Sequence, residues 1–153
     1  FPIDYFCSSC HNLSFSFFIF FLQSVSHAVF CIHLNIVLVT KYRRKVITPE
    51  IMDRLKTIFE DVCSRNNSLL VEFSGESDHC HLLVNLAPNN NISTLIKSLK
   101  SASSMIIRKE FEEHINQYYW KPVFWSSSYF VSSSGGVSID VLKKYIQNQS
   151  VEY

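Results

Sequence analysis

From Ser26 to Thr40 the chain alternates, with Ala28, Phe30, Ile32, Leu34, Ile36 and Leu38 on one side and His27, Cys31, His33 and Asn35 on the other. This period of two predicts a long, half-buried strand. The period then changes. Thr48-Pro49-Glu50 is a helix start, a capping threonine ahead of a proline at the first helical position, and Ile51, Leu55, Ile58, Phe59 and Val62 follow at helical spacing. That helix should end near Asn66-Asn67. Two strands come next, Leu69 to about Ser74 and Asp78 to about Leu86, with a turn at Gly75 between them and the loop Pro88-Asn89-Asn90-Asn91 after them. Ile92-Ser93 opens a second helix with Ser93 as its cap, and Leu95, Ile96, Leu99, Ala102, Ile106 and finally Phe111 form its buried side.

Beyond an aromatic stretch around Trp120 and Trp125, a fourth strand is predicted near Tyr129 to Ser132. A Gly135-Gly136 joint and a last helix from about Ser138 to Gln149 complete the chain. The order βαββαβ plus one helix describes an α+β fold, a ferredoxin-like sandwich with an additional C-terminal helix. In such a sandwich helices cover one sheet face and leave the other for ligands or partners. Residues 25–153 are the expected functional domain. Residues 1–24, rich in Phe and Ser without a clear period, are expected to lie outside it, with an extra packing segment as the alternative.

Composition narrows the class without naming a partner. The 153 residues suffice for about one domain, and the 47% apolar and 18% charged fractions are those of a globular protein. A formal net charge of +1 is too small to announce a nucleic-acid partner, so any such charge must be local. Five cysteines, an odd number without a framework spacing, suit free thiols in a reducing cytoplasm. Cys7-Ser8-Ser9-Cys10-His11 fits the haem-attachment pattern, but so short a pattern recurs by accident and no haem-binding remainder accompanies it. The apolar run Phe15 to Leu22 is too short for a bilayer, which takes about 20 residues, and lacks the basic flank of a signal peptide, so no membrane role is expected.

Three groups of residues are candidates for chemistry. His79 and His81 stand two apart on the third predicted strand, so their side chains share a face while Cys80, Leu82, Val84 and Leu86 take the other. Two imidazoles on an open sheet face suit metal ligation, although by itself H-x-H fits structural histidines as readily. Tyr145 and Gln149 lie four apart on the last helix, about 40° from each other around its axis, and so share a face. From spacing alone an amphipathic terminal helix with an interfacial tyrosine is the plainer reading. Lys41-Tyr42-Arg43-Arg44-Lys45 concentrates positive charge directly after the first strand, enough for several phosphate contacts or simply a solvated loop. Lys97, Lys100, Arg108 and Lys109 add charge on the second helix, offset by Glu110, Glu112 and Glu113.

Taken together, His33-Leu34, Val39 to Lys45, Asp78-His79-Cys80-His81-Leu82-Leu83-Val84, Leu99 to Ser104, Phe124 to Phe130, Gly135-Gly136-Val137 and Lys144 to Gln149 resemble the small transposases of bacterial and archaeal insertion sequences that use one tyrosine and an HUH motif. The resemblance covers about Ser26 to Gln149. It implies that His79 and His81 are the HUH histidines, that Gln149 is the third metal ligand, and that Tyr145 on the terminal, catalytic helix is the nucleophile. Cys80 stands where the family has a bulky aliphatic residue, and a core-facing cysteine behaves as a small apolar one.

The same resemblance implies DNA transposition: single-stranded DNA with hairpin ends is cut and rejoined through a 5′-phosphotyrosine link, with Mg2+ or Mn2+ as the expected metal. It also implies a homodimer whose active sites are shared between subunits. Gly135-Gly136 would be the hinge of that exchange, or an ordinary turn. Lys41, Arg43 and Arg44 are the expected DNA contacts. Two alternatives stand beside this reading. One is a domesticated relative that processes chromosomal hairpins with the same residues. The other is a non-catalytic single-stranded nucleic-acid-binding module on a ferredoxin-like sheet, which would bind without cutting.

Overall fold

Thr48 starts the first long helix as its sequence predicts: its hydroxyl oxygen accepts from the Ile51 amide at 3.2 Å, with Pro49 at the first helical position. A computed structural model of the chain describes residues 23–25, 28–30 and 32–133. The expected Gly135-Gly136 joint and Ser138–Gln149 helix lie outside these residues, as do residues 1–22. Contacts divide the chain into two units, Phe1–Cys31 and Ile32–Tyr153. In the first, β1 (Gln23–Val25) and β2 (Ala28–Phe30) pair as an antiparallel hairpin.

The second unit contains β3 (His33–Val39), α1 (Pro49–Arg65), β4 (Leu69–Glu76), β5 (His79–Asn85), α2 (Ile92–Glu110), a short α3 (Glu112–Asn116) and β6 (Phe130–Ser133). The sheet order is β4-β5-β3-β6 and every neighbouring pair is antiparallel, which is the ferredoxin-like arrangement expected from the order of elements. The expected strand Ser26–Thr40 is in fact two. Residues 28–30 pair with β1, and only from His33 onward does the chain lie between β5 and β6.

Within β3, residues 36–39 are all buried, so the alternation seen earlier in the strand gives way to a continuous apolar run, as in a central strand covered on both faces. On one face Ile36, Leu38, Cys80, Leu82 and Val84 join Ile51, Leu55 and Phe59 of α1 and Leu95 and Leu99 of α2 in the main core. On the other, Val37 and Val39 pack with Phe130.

Two boundaries differ from the sequence reading, the turn after β4 and the cap of α2. Gly75 lies inside β4, which runs on to Glu76, and the turn is made by Ser77-Asp78. A bulge between Leu70 and Glu72 lets Leu70 and Phe73, three residues apart, both reach the core side opposite Val84 and Leu82. The cap of α2 is Asn91, whose side-chain oxygen accepts from the Thr94 amide at 3.1 Å, and Ser93 already lies within the helix. The buried side of α2 includes Ser103 and Ile107, with Ala102 and Ile106 at its margin.

Candidate active site

The alternation of β5 puts Cys80 wholly in the helix-covered core and turns His79 and His81 to the opposite face, where they stand across from Val39 and Val37 of β3 and from Glu76 and Ser74 of β4. The two imidazoles meet edge to face with ring centroids 5.0 Å apart. His79 is 7% exposed, and His81 is half-buried. Burial, reinforced by the neighbouring His79, holds the His81 imidazole below its ordinary range against an opposing pull from Glu76. At neutral pH His81 therefore presents a nitrogen lone pair instead of a cation.

Asp78, immediately ahead of His79 on the turn, sets the orientation of that ring. Its Oδ1 lies 2.7 Å from His79 Nδ1, while Oδ2 accepts from Arg43 Nε at 2.9 Å and Nη2 at 2.8 Å. Burial works to raise the Asp78 carboxyl, but the hydrogen bonds from His79 and Arg43 and the guanidinium charge outweigh it and hold the group below the usual carboxylate range. An ionised carboxylate only accepts, so Nδ1 of His79 carries a proton towards Asp78, and in the neutral ring Nε2 is the lone-pair nitrogen. A carboxylate that fixes the tautomer and direction of a histidine in this way is the usual support behind a metal-ligating imidazole.

The backbone around Asp78 is held as firmly. Thr40 donates its amide to the Asp78 carbonyl at 2.9 Å and carries its hydroxyl 3.0 Å from the same oxygen. After Thr40 the chain makes a single 3-10 turn, Lys41–Arg43, in which Tyr42 (φ 58°) and Arg43 (φ 50°) both take left-handed backbone angles. For non-glycine residues this costs about 1 kcal/mol each. Two anchors offset it: the Lys41 amide donates to the Phe124 carbonyl at 2.8 Å, and the buried Tyr119 hydroxyl donates to the Lys41 carbonyl at 2.7 Å.

The basic segment read from the sequence thus has two parts. Arg43 is turned onto Asp78, the Lys41 ammonium sits 4.9 Å from the Tyr42 ring centre, and Arg44 and Lys45 are exposed. On α2, Lys100 donates to the Ser126 and Ser127 carbonyls at 2.7 and 2.9 Å and fastens the segment leading into β6.

Of the expected site residues, His79 and His81 are brought together, whereas Tyr145 and Gln149 lie outside the described residues. The sequence reading assigned no role to Asp78 or Glu76. Ligand atoms of Glu76, Asp78 and His79 lie within 4.8 Å of one another, but both Asp78 oxygens are engaged by His79 and Arg43, so Asp78 supports the histidine and Glu76 is the carboxylate left beside it. Glu76 pairs directly with His79 across the two-residue turn Ser77-Asp78, a register that reading Gly75 as the turn conceals. No described helix is long and apolar enough to cross a membrane.

The chain is 26% identical over 121 residues to the ISDra2 transposase TnpA of Deinococcus radiodurans, covering 79% of this chain and 86% of that protein. It is likewise 26% identical over 130 residues to the transposase for insertion sequence element IS200 of Salmonella typhimurium, covering 85% and 84% of the two chains. Among solved structures, a Deinococcus radiodurans R1 protein assigned as a transposase superposes with a TM-score of 0.77 at 29% identity, covering 85% of this chain and 99% of the other. The family model described as "Transposase IS200 like" matches residues 28–149, and the chain belongs to that family.

Proposed function

We propose that this chain, a DNA-processing enzyme by family, cleaves and rejoins single-stranded DNA at insertion-sequence ends with Tyr145 as nucleophile and a divalent metal held by His79, His81 and Gln149. The observation that carries the reading is the His79–His81 pair, with His79 fixed in one tautomer by Asp78 and Arg43, inside a family match that runs on to residue 149.

In this mechanism His79 would contribute Nε2, His81 a lone-pair nitrogen, and Gln149, four residues after Tyr145 in the sequence, an amide oxygen. Magnesium or manganese, when bound, polarises the scissile phosphate and stabilises the charge that develops on it. The Tyr145 hydroxyl, with an ordinary pKa of about 10, gives up its proton as it attacks phosphorus. The Tyr145 Oη–P bond forms as the P–O3′ bond breaks, and the departing oxygen is protonated to a free 3′-hydroxyl. The protein is left on the 5′-phosphate. A 3′-hydroxyl attacking that phosphotyrosine restores the phosphodiester and the tyrosine, so joining requires no nucleotide cofactor. Lys41, Arg43 and Arg44 are the proposed contacts to the DNA backbone or hairpin, and a homodimer that shares its active sites is the proposed assembly.

Cleavage of end-labelled single-stranded DNA carrying the element's terminal hairpin, with and without Mg2+ or Mn2+, tests the proposal. Wild type should leave protein attached to the 5′ side in a metal-dependent reaction, and Tyr145→Phe should abolish it. A hairpin that is bound but uncut under every metal would replace the enzyme reading with a binding module.

A further inference from the structure

Trp120 is 89% exposed, the most exposed of the large hydrophobic side chains among the described residues. Its neighbour Tyr119, by contrast, is buried and tied through its hydroxyl to Lys41. The indole borders an open cavity of about 450 Å³ between the end of α2, α3 and the following loop. Met105, itself 64% exposed, extends the apolar surface. Arg108, Lys109 and Lys121 supply three cations around it against the single carboxylate of Glu112. The Lys121 ammonium lies 4.6 Å from the Trp120 ring centre, and Arg108 is steadied by donating Nη1 to the Pro122 carbonyl at 2.7 Å.

We propose that this surface binds an unpaired nucleobase, with the base stacked on the face of Trp120 opposite the Lys121 ammonium and the flanking phosphates on Lys109 and Lys121. The proposal rests on the single-stranded DNA reading above and adds a subsite on an element separate from the His79–His81 face. An indole is a large flat stacking partner for any base, and the cations match the charge that a single strand carries beside each base. In duplex DNA the base faces are occupied by their neighbours, so the same surface discriminates in favour of unpaired nucleotides.

Tryptophan emission reads this contact directly, because the chain has two tryptophans and Trp125 is buried. Titrating the full chain with a short oligothymidylate should quench the emission of wild type, and a blunt duplex should quench it far less. Trp120→Ala should weaken oligothymidylate binding by roughly tenfold or more, with Trp120→Phe retaining most of the affinity. Lys121→Ala should lower the salt dependence of binding by about one phosphate contact. Unchanged affinity in Trp120→Ala, with undiminished oligothymidylate binding by wild type, would overturn the subsite and leave the transposase reading standing. A change of oligomeric state in Trp120→Ala without loss of DNA affinity would assign the surface to a protein contact instead. Failure of wild type to bind either the oligothymidylate or the hairpin would remove both readings together.

Discussion

Arg43 and Asp78, 35 residues apart in sequence, form a two-point ion pair in which both guanidinium hydrogen bonds fall on one carboxylate oxygen and leave the other for His79. This divides the carboxylate between a fixed cation and a ring that must point in one direction. Disrupting either half should therefore loosen His79 more than it harms the fold. Arg43→Gln and Asp78→Asn are expected to weaken Mn2+ binding by the DNA-free protein about 10- to 100-fold, the usual effect of losing such a support. Arg43→Lys, which keeps the charge but not the fork, should fall between them and wild type. Electron paramagnetic resonance titration with Mn2+ measures this, and equal affinities in all four proteins would reduce the ion pair to a stabilising contact.

Gly75 makes a separate demand on the same corner. A Cβ at this position would lie 2.5 Å from the His79 carbonyl oxygen, 3.0 Å from Cys80 Cα and 3.1 Å from Met52 Cε. Two of these neighbours are backbone atoms of β5, so the strand itself must shift to make room. Gly75→Ala should cost about 1–3 kcal/mol in urea unfolding and displace His79, whereas Ser74→Ala, at an exposed neighbouring position, should stay within about 0.5 kcal/mol of wild type. A fully stable Gly75→Ala would mean that β4 and β5 can separate there freely.

These two sites show where the sequence was legible. Thr48-Pro49 was readable because the cap, the proline and the first turn are all local. The shared face of His79 and His81 was readable because a strand has a fixed period of two. Gly75 was misread as a turn because a glycine needed for close approach of a neighbouring strand looks, in sequence, the same as one needed for a bend. At Asn91 and Ser93 two good capping residues stood close together, and the helix begins at the first. The tie from Arg43 to Asp78 had no local signal, since it depends on the left-handed backbone of Tyr42 and Arg43 and on the β3–β5 register. The Tyr145–Gln149 part of the candidate site still rests on helical spacing and family resemblance.

Ser103 illustrates a buried polar group whose role belongs to its partner. Its hydroxyl accepts from Trp125 Nε1 at 2.8 Å and donates to the Leu99 carbonyl at 2.6 Å, with Ser103 fully buried and Trp125 nearly so. Ser103→Ala leaves the indole N–H without an acceptor and should destabilise the protein by about 1–3 kcal/mol. Combined with Trp125→Phe, which removes the donor, the serine change should cost distinctly less. Strict additivity in chemical denaturation would show that the two side chains do not act as a pair.

Tyr119 and Cys63 predict the alkaline limit of stability. Burial pushes the Tyr119 phenol and the Cys63 thiol each up to about 12. In the unfolded chain they ionise near about 10 and about 8.5. The folded state therefore holds these protons more tightly, and the stability they contribute is complete below the unfolded values and lost as pH rises from about 8.5 toward about 12. Tyr119→Phe also removes the hydroxyl that donates to the Lys41 carbonyl, so at neutral pH it should cost about 1 kcal/mol and loosen the 3-10 turn that carries Arg43. Above about pH 10 the ordering should narrow, because the variant has no phenol to ionise on unfolding. Urea unfolding of both proteins at about pH 8 and about pH 11 checks this. A gap between wild type and Tyr119→Phe that stays constant across that range would show that the phenol ionises as readily in the folded protein as in the unfolded one.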